Sequence, residues 1–504
     1  MRTVAGPSDH VAVVGAGLAG LATALHLLGA GRRVTVLERA LHPGGRAGRL
    51  DVDGYRMDTG PTVLTMPDLV EEALAAVGEQ LTDRLELVRL DPAYRARFAD
   101  GSTIDVHTDA GAMEAEVRAV AGAGEAAGYR RLRDWLSRLY TAEMGRFIGG
   151  NFDSPLDLVA SPGAVADLAR LAALRGFGRL GPQVGRFLRD ERLQRIFSFQ
   201  ALYAGVPPQR ALAAYAVIAY MDTVAGVYFP LGGMRALPQA LADAAAGAGA
   251  ELRYGTTVDA LERRGDRITA VRTSAGERVA ADTVVLTPDL PVVYRLLGRV
   301  PRRPVALRWS PSAVVLHAGV RPGSGGAWPE LGHHTISFGG AWQGTFDEII
   351  RTGRLMSDPS LLVTRPTATD PSLAPAGREV LFVLAPCPNL RVAPLDWPAV
   401  GPAYRDELVA VLERRGLPGL GDAVDVERLV TPHDWAVQGL AAGTPFSAAH
   451  TFAQTGPFRP GNLVRGLDNA VLAGCGTTPG VGVPTVLLSG KLAAQRITGR
   501  PLRA

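Results

Sequence analysis

The run Gly15-Ala16-Gly17-Leu18-Ala19-Gly20, with Glu38 placed 23 residues after Gly15, carries the most specific chemistry in the chain. Gly15 permits a tight turn. Gly17 lets the backbone N–H groups around it, Ala16 included, approach a pyrophosphate, and Gly20 lets a helix pack closely on a strand. Glu38 stands where a carboxylate accepts a hydrogen bond from a ribose hydroxyl. The elements that must hold these groups surround them. Val11–Val14 is a short apolar run of the kind that forms a buried parallel strand, Leu18–Gly29 carries Ala and Leu at helical density, and Arg33–Leu37 predicts a second strand ending at Glu38. Strand, glycines, helix, strand and acid together make a dinucleotide site. Gly176, Gly178 and Gly181 repeat the glycine spacing in a helical stretch with no strand before them, so a separate NAD(P) domain is not expected.

Gly44-Gly45-Arg46-Ala47-Gly48 follows, and then Tyr55-Arg56-Met57-Asp58-Thr59-Gly60-Pro61-Thr62. Here the chain resembles the FAD-dependent amine oxidase and carotenoid desaturase superfamily, whose second-strand acid is followed by a Gly-Gly-Arg loop. The resemblance implies FAD as the cofactor and Arg46 as a cation near its pyrophosphate. It implies contacts from Arg39 and Gly45 in the same stretch, an approach of Gly60, Pro61 and Thr62 to the flavin, and a further contact at Val258. The bland alternative for Arg46 is a surface arginine; the two glycines beside it favour the cofactor.

At the other end, Asn469 begins a predicted strand that runs into Gly474-Cys475-Gly476-Thr477-Thr478-Pro479-Gly480-Val481-Gly482-Val483-Pro484, and Thr485–Thr498 reads as a helix with Pro484 at its start. A backbone this rich in glycine can touch a flat ring, and the positive helix end stabilises negative charge on a reduced flavin. In the superfamily a motif of this shape holds the isoalloxazine, which implies contacts at Gly474, Gly482 and Val483. Cys475 reads as a small residue filling the turn in preference to a redox thiol or flavin attachment point.

The stretches Arg195–Gly205, Gly226–Leu237, Val383–Pro388 and Gly474–Pro484 narrow the resemblance to the bacterial phytoene desaturase family, over roughly residues 10 to 498. One departure stands out: Thr478 occupies the place where the family pattern has histidine. The resemblance implies successive dehydrogenation of phytoene towards lycopene, with a hydride passing to the flavin and a proton to a nearby base. Asp157, within Ser154-Pro-Leu-Asp-Leu-Val159, is the candidate base, since burial in an apolar segment would raise its pKa. Its alternative is a helix-start residue complementing the dipole. Asp58 and Glu143 are weaker candidates. The same FAD motifs serve a carotenoid ketolase, a hydroxycarotenoid desaturase or an amine oxidase. An amine oxidase would want a lysine near the flavin, and Lys491 is the chain's only one. A non-catalytic dinucleotide-binding protein would show no flavin reduction with any lipid.

Composition bounds these readings. The chain has 504 residues, 47% hydrophobic, with 53 basic against 49 acidic residues and a net charge of +4, which is globular and argues against a nucleic-acid partner. Two cysteines, Cys387 and Cys475, cannot build a disulfide framework or a usual zinc site. Mean hydropathy is +0.10, yet the uncharged stretch from Val11 to Gly31 holds five glycines and fits a strand, turn and buried helix better than a span. The expected fold is α/β: a Rossmann-like FAD-binding domain built from residues 10–90, 250–300 and 465–500. An inserted mixed α+β substrate domain with a helical region occupies 91–249 and 301–464. An apolar C40 carotenoid substrate implies an apolar tunnel, a membrane lipid surface, a cytoplasmic location on the inner face of the membrane, and quinone or oxygen as acceptor. Ala211–Met221, with Tyr215 and Tyr220, reads as a buried helix slightly ahead of a membrane-contacting one. No motif speaks to oligomeric state.

Overall fold

The computed structural model describes residues 1–303, 305–322, 328 and 330–499. Val11–Val14 is buried in the middle of a five-stranded parallel sheet ordered Ala470–Leu472, Thr283–Leu286, His10–Val14, Arg33–Leu37, Glu251–Arg253. Its strands come from three stretches separated by more than 180 residues each. Such a sheet needs both faces covered. On one side the helix Leu18–Gly29 packs against the C-terminal helix Val483–Thr498 in near backbone contact, because Gly490 has no side chain: a Cβ there would sit 2.6 Å from the Ala19 carbonyl oxygen. The other face rests on an antiparallel meander, Val258–Arg264, Arg267–Thr273 and Arg278–Ala280, through Val258, Ile268 and Val271.

A second sheet of seven strands is ordered Val424–Val430, Ser312–Val320, Glu379–Cys387, Leu361–Thr364, His334–Ser337, Tyr94–Arg97, Thr103–Val106, antiparallel except where His334–Ser337 runs parallel to Tyr94–Arg97. The helix Trp397–Arg414 covers it through Trp397, Tyr404, Leu408 and Leu412. The fold is thus the expected α/β, Rossmann-like and discontinuous, with a mixed α+β insertion.

The insertion's long helix runs over Ala110–Glu143. The Ala-Gly-Ala-Gly run at 121–124 conceals its first half, and Gly122 breaks it with φ +87°. Asp109 caps its start, accepting from Ala112 N at 2.8 Å. At its far end a π-helix, Met144–Ile148, follows directly.

Ala211–Met221 is interior, as the favoured expectation had it. Ala211, Ala213, Ala216, Val217 and Ala219 are each 5% exposed or less, Tyr215 shares a hydrogen bond with Thr455 Oγ1, and Tyr220 stacks on Tyr140 at 4.2 Å. The membrane-contacting alternative for this stretch is therefore corrected. Among the described residues no helix is long and apolar enough to cross a membrane.

Candidate functional site

The parallel strands deliver their C-terminal ends to one edge, where ligands bind in folds of this kind. Gly15, at φ +106°, turns the chain there; its N–H donates to the Leu37 carbonyl at 2.8 Å. A Cβ on Gly20 would lie 2.0 Å from the Gly15 carbonyl oxygen, so helix and turn touch. Gly17 is the helix N-cap, has no side-chain cap and no acid in the turn after it, and a Cβ on it would meet nothing closer than 3.9 Å. That is an open, electropositive helix start. Gly44 donates to the Ala16 carbonyl at 2.9 Å, which lays the Gly44–Gly45 loop beside the cradle. The Glu38 carboxylate is 6% exposed and accepts from Ala16 N at 2.7 Å and Ala40 N at 2.9 Å. One donor per oxygen leaves lone pairs for ribose hydroxyls. Val258 shares a cluster with Leu37, one residue before Glu38. Arg39 is exposed and donates instead to the Gln438 carbonyl at 2.9 Å, so it faces a surface loop.

The opposite end of the site is assembled from four distant stretches. Arg46 Nη2 lies 3.4 Å from Asp289 Oδ1, with Cys475 close by. Burial works against the charge on Arg46, but Cys475 and Asp289 outweigh it and its pKa stands above the ordinary arginine value. Gly60 abuts the same loop, since a Cβ there would fall 1.8 Å from the Arg46 carbonyl oxygen, and Pro61 follows it. Thr62 is buried, accepts from Thr364 Oγ1 at 3.3 Å, and borders an enclosed cavity of about 10 Å³ with Asp58, Phe229 and His317. The C-terminal turn is held from beneath by Arg459, which is 3% exposed and donates to the carbonyls of Cys475 (2.7 Å), Thr477 (3.0 Å) and Ala448 (3.2 Å). Gly474 N donates to Ser489 Oγ, which donates to the Thr478 carbonyl. Gly482, at φ +126°, is the second uncapped helix start, with Val483 opening the helix.

Sequence reasoning missed Asp289, Arg459 and His450. Asp289 could have been flagged by its place just beyond the strand Thr283–Leu286, at the ligand-binding edge. No local pattern marks the other two. His450 supplies an imidazole to the turn whose own sequence has Thr478 in place of histidine: a Cβ on Gly480 would lie 2.1 Å from His450 Nε2. Its Nδ1 has no partner among the described residues, and burial, followed by Arg459, holds its pKa well below the ordinary value.

The candidate bases separate clearly. Asp157 is half-buried and accepts from Ser154 N at 3.0 Å and from Asp153 N, closing a capping box with Ser154. Its carboxylate is used in holding a 3₁₀ turn, and the apolar burial expected of it is absent. Asp58 is buried, and burial raises its pKa to about 6 against the backbone donors Met234 N (2.7 Å) and Arg235 N (3.1 Å). Glu143 is 4% exposed, its Oε1 has no partner among the described residues, and burial alone drives its pKa well above the ordinary range. Glu143 lies near enough to Tyr215 to add to the burial that raises that phenol's pKa, and the Tyr215 ring packs edge-on to His450 at 5.4 Å.

Two uncapped helix starts, free carboxylate lone pairs at Glu38, a backbone surface bare of Cβ atoms, and an arginine beside its counter-ion fit an FAD laid from Glu38 to the C-terminal turn. Comparison with known proteins supports a flavin cofactor. The family described as flavin containing amine oxidoreductase matches residues 18–498. A phytoene dehydrogenase of Streptomyces griseus is 71% identical over 99% of this chain and 97% of its own. A zeta-carotene-forming phytoene desaturase of Myxococcus xanthus is 38% identical over 97% and 93%. Among solved structures, a triple mutant of putrescine oxidase, 17% identical, covers 96% of this chain and 98% of its own with a TM-score of 0.61, a likeness of fold.

Proposed function

Since the chain belongs to the phytoene desaturase family within the flavin containing amine oxidoreductases, we propose that it is an FAD-dependent desaturase of carotenoids, taking phytoene through successive dehydrogenations towards lycopene. The observation that carries this reading is the 71% identity to a phytoene dehydrogenase along nearly the whole of both chains. Bound FAD supplies a hydride acceptor, the harder half of removing two hydrogens from neighbouring carbons. Glu38 and the Gly15–Gly20 turn would hold its adenosine and pyrophosphate, Arg46 its charge, and the turn from Gly474 to Val483 its ring. Glu143 takes the proton-handling role first considered for Asp157. Burial favours the protonated form of Glu143, and once ionised such a carboxylate is a stronger base than one in water, as proton removal from a hydrocarbon requires. The number of steps does not follow from family membership, because the Myxococcus relative is named for an earlier product.

An amine oxidase reading loses ground on one contact: Lys491 pairs with Glu72 of the helix Asp68–Ala75 and is engaged away from the turn. A substrate dissolved in lipid supports work at the inner face of the cell membrane, with quinone or oxygen reoxidising the cofactor. Incubation with phytoene-loaded liposomes, FAD and air or quinone tests the reading. Growth of visible polyene bands is expected; a colourless extract from protein with intact flavin would overturn it.

A further inference from the structure

The segment from Pro155 to Arg179 exposes a concentration of large apolar side chains. Its helix, Pro162–Ala173, buries only Ala164 and Leu171. Around it Leu156 is 73% exposed, Val159 51%, Val165 49% and Phe177 45%. Four large hydrophobic side chains are thus exposed within about two dozen residues, Val165 on a helix tethered along a narrow stripe and the other three on the turns that flank it, a density unusual for a solvent-facing surface.

The charges beside this face are arranged with one sign outward. Both acids of the segment are turned to internal partners: Asp157 caps Ser154, and Asp167 is bridged by Arg146 at 2.9 Å and Arg170 at 3.1 Å. Where the helix ends, Ala173, Leu174 and Arg175 form one wall of an open notch of about 300 Å³ whose other walls include Arg131, Arg138 and Arg186 around Trp135 and Phe187. Arg138 reaches only the exposed Asp134, at 3.8 Å, and the other three make no ion pair among the described residues. Four guanidinium groups thus surround a notch large enough for a phosphate group, contiguous with an apolar helix.

We propose that this face docks the protein on an anionic phospholipid bilayer. Leu156, Val159, Val165 and Phe177 enter the headgroup boundary, and Arg131, Arg138, Arg175 and Arg186 engage lipid phosphates. The complementarity is specific to a negatively charged partner, since the segment's carboxylates are already neutralised. The proposal rests on the carotenoid reading, which requires an enzyme to reach a substrate held in lipid, and it moves the point of contact away from the buried Ala211–Met221 stretch.

Flotation of the FAD-loaded protein with vesicles of phosphatidylcholine, with and without phosphatidylglycerol, tests it. Wild type is expected to float with the anionic vesicles and to be released by salt. Exchanging Arg138, Arg175 and Arg186 for Gln should weaken binding about fivefold per arginine. The set Leu156→Glu, Val165→Glu and Phe177→Glu should abolish flotation, with flavin absorbance and elution volume unchanged. Flotation equal to wild type in both variants overturns the proposal. So does a variant that instead dissolves a dimer, because the face would then belong to a second copy. Turnover of phytoene in detergent keeps the two readings apart: if it proceeds while flotation is indifferent to the variants, the docking surface alone is wrong; if it fails while flotation responds, the carotenoid reading falls.

Discussion

Arg46 Nη2 stands 3.4 Å from Asp289 Oδ1, and the pair ties the Gly44–Gly48 loop to the end of a strand 240 residues further on. The two partners are unequal. The Asp289 side chain is 1% exposed and also accepts from Ala441 N at 2.8 Å and Ser447 Oγ at 3.3 Å, whereas the Arg46 side chain is 28% exposed. Replacing Asp289 by Ala therefore leaves buried donors unsatisfied and should cost about 2–4 kcal/mol of stability. Arg46→Ala should cost less, because Asp289 keeps its hydrogen bonds from Ala441 N and Ser447 Oγ, yet weaken FAD retention about tenfold through the lost charge proposed to lie near the pyrophosphate. Thermal melting with and without FAD, and flavin loss on gel filtration, separate the two. Equal melting temperatures for both variants would contradict this asymmetry.

Gly490 and Gly124 make a matched pair of glycine replacements with opposite expected signs. A Cβ at Gly490 meets the Ala19 carbonyl oxygen at 2.6 Å and Thr23 N at 2.9 Å, both backbone atoms that cannot swing aside. Gly490→Ala must push apart the two helices whose starts are proposed to flank the cofactor, at a cost of about 1–3 kcal/mol with reduced flavin content. At Gly124 a Cβ meets nothing within 4 Å and the backbone is helical, so Gly124→Ala should stabilise by roughly 0.5–1 kcal/mol. Denaturation curves and the flavin-to-protein absorbance ratio read both.

What could be read from the sequence divides along the same line as these residues. The Gly15–Gly20 turn and Glu38 are legible because their geometry is local: a turn, a helix start and a strand end lie within 24 residues, and each residue type has one physical reason to be there. Arg459 and His450 are not, because their roles arise from folding residues 448–459 under the turn at 474–482, which no periodicity announces. Asp157 misled for a related reason. An acid in Ser-Pro-Leu-Asp looks buried by composition, but it is also the fourth position of a capping box, and the local hydrogen bonds won. The long helix was half hidden by its glycines, since propensity speaks against a segment that tertiary packing of Met113 and Val117 holds helical.

Glu143 and Asp157 can be told apart by activity at constant flavin. Glu143→Gln keeps the shape and removes the proton-accepting oxygen, and is expected to lower kcat about 100-fold or more with unchanged FAD content. Asp157→Ala should lose about 1 kcal/mol of capping stability and leave kcat of the folded protein within a factor of about two. A Glu143→Gln protein that turns over phytoene like wild type would remove Glu143 from the reaction.

Asp222 makes stability depend on pH with a definite sign. It lies 7% exposed in the π-helix Met221–Ala225, and burial, opposed only by a hydrogen bond with Gln200, raises its pKa from 3.8 to about 7. Below the unfolded value both states hold the proton and its protonated form is fully stabilising. As pH rises, the unfolded chain ionises first while the folded protein keeps its proton, so stability falls until the folded group itself titrates near neutrality. Between about pH 5 and about pH 8 this group alone should cost roughly 3 kcal/mol. Asp222→Asn cannot ionise and should therefore gain on wild type by a few degrees in melting temperature over that interval, the two curves converging towards acid. Parallel melting curves across the whole range would show that Asp222 is ionised in the folded protein, and with it that the pocket it shares with Gln200, Tyr94 and Tyr203 admits water.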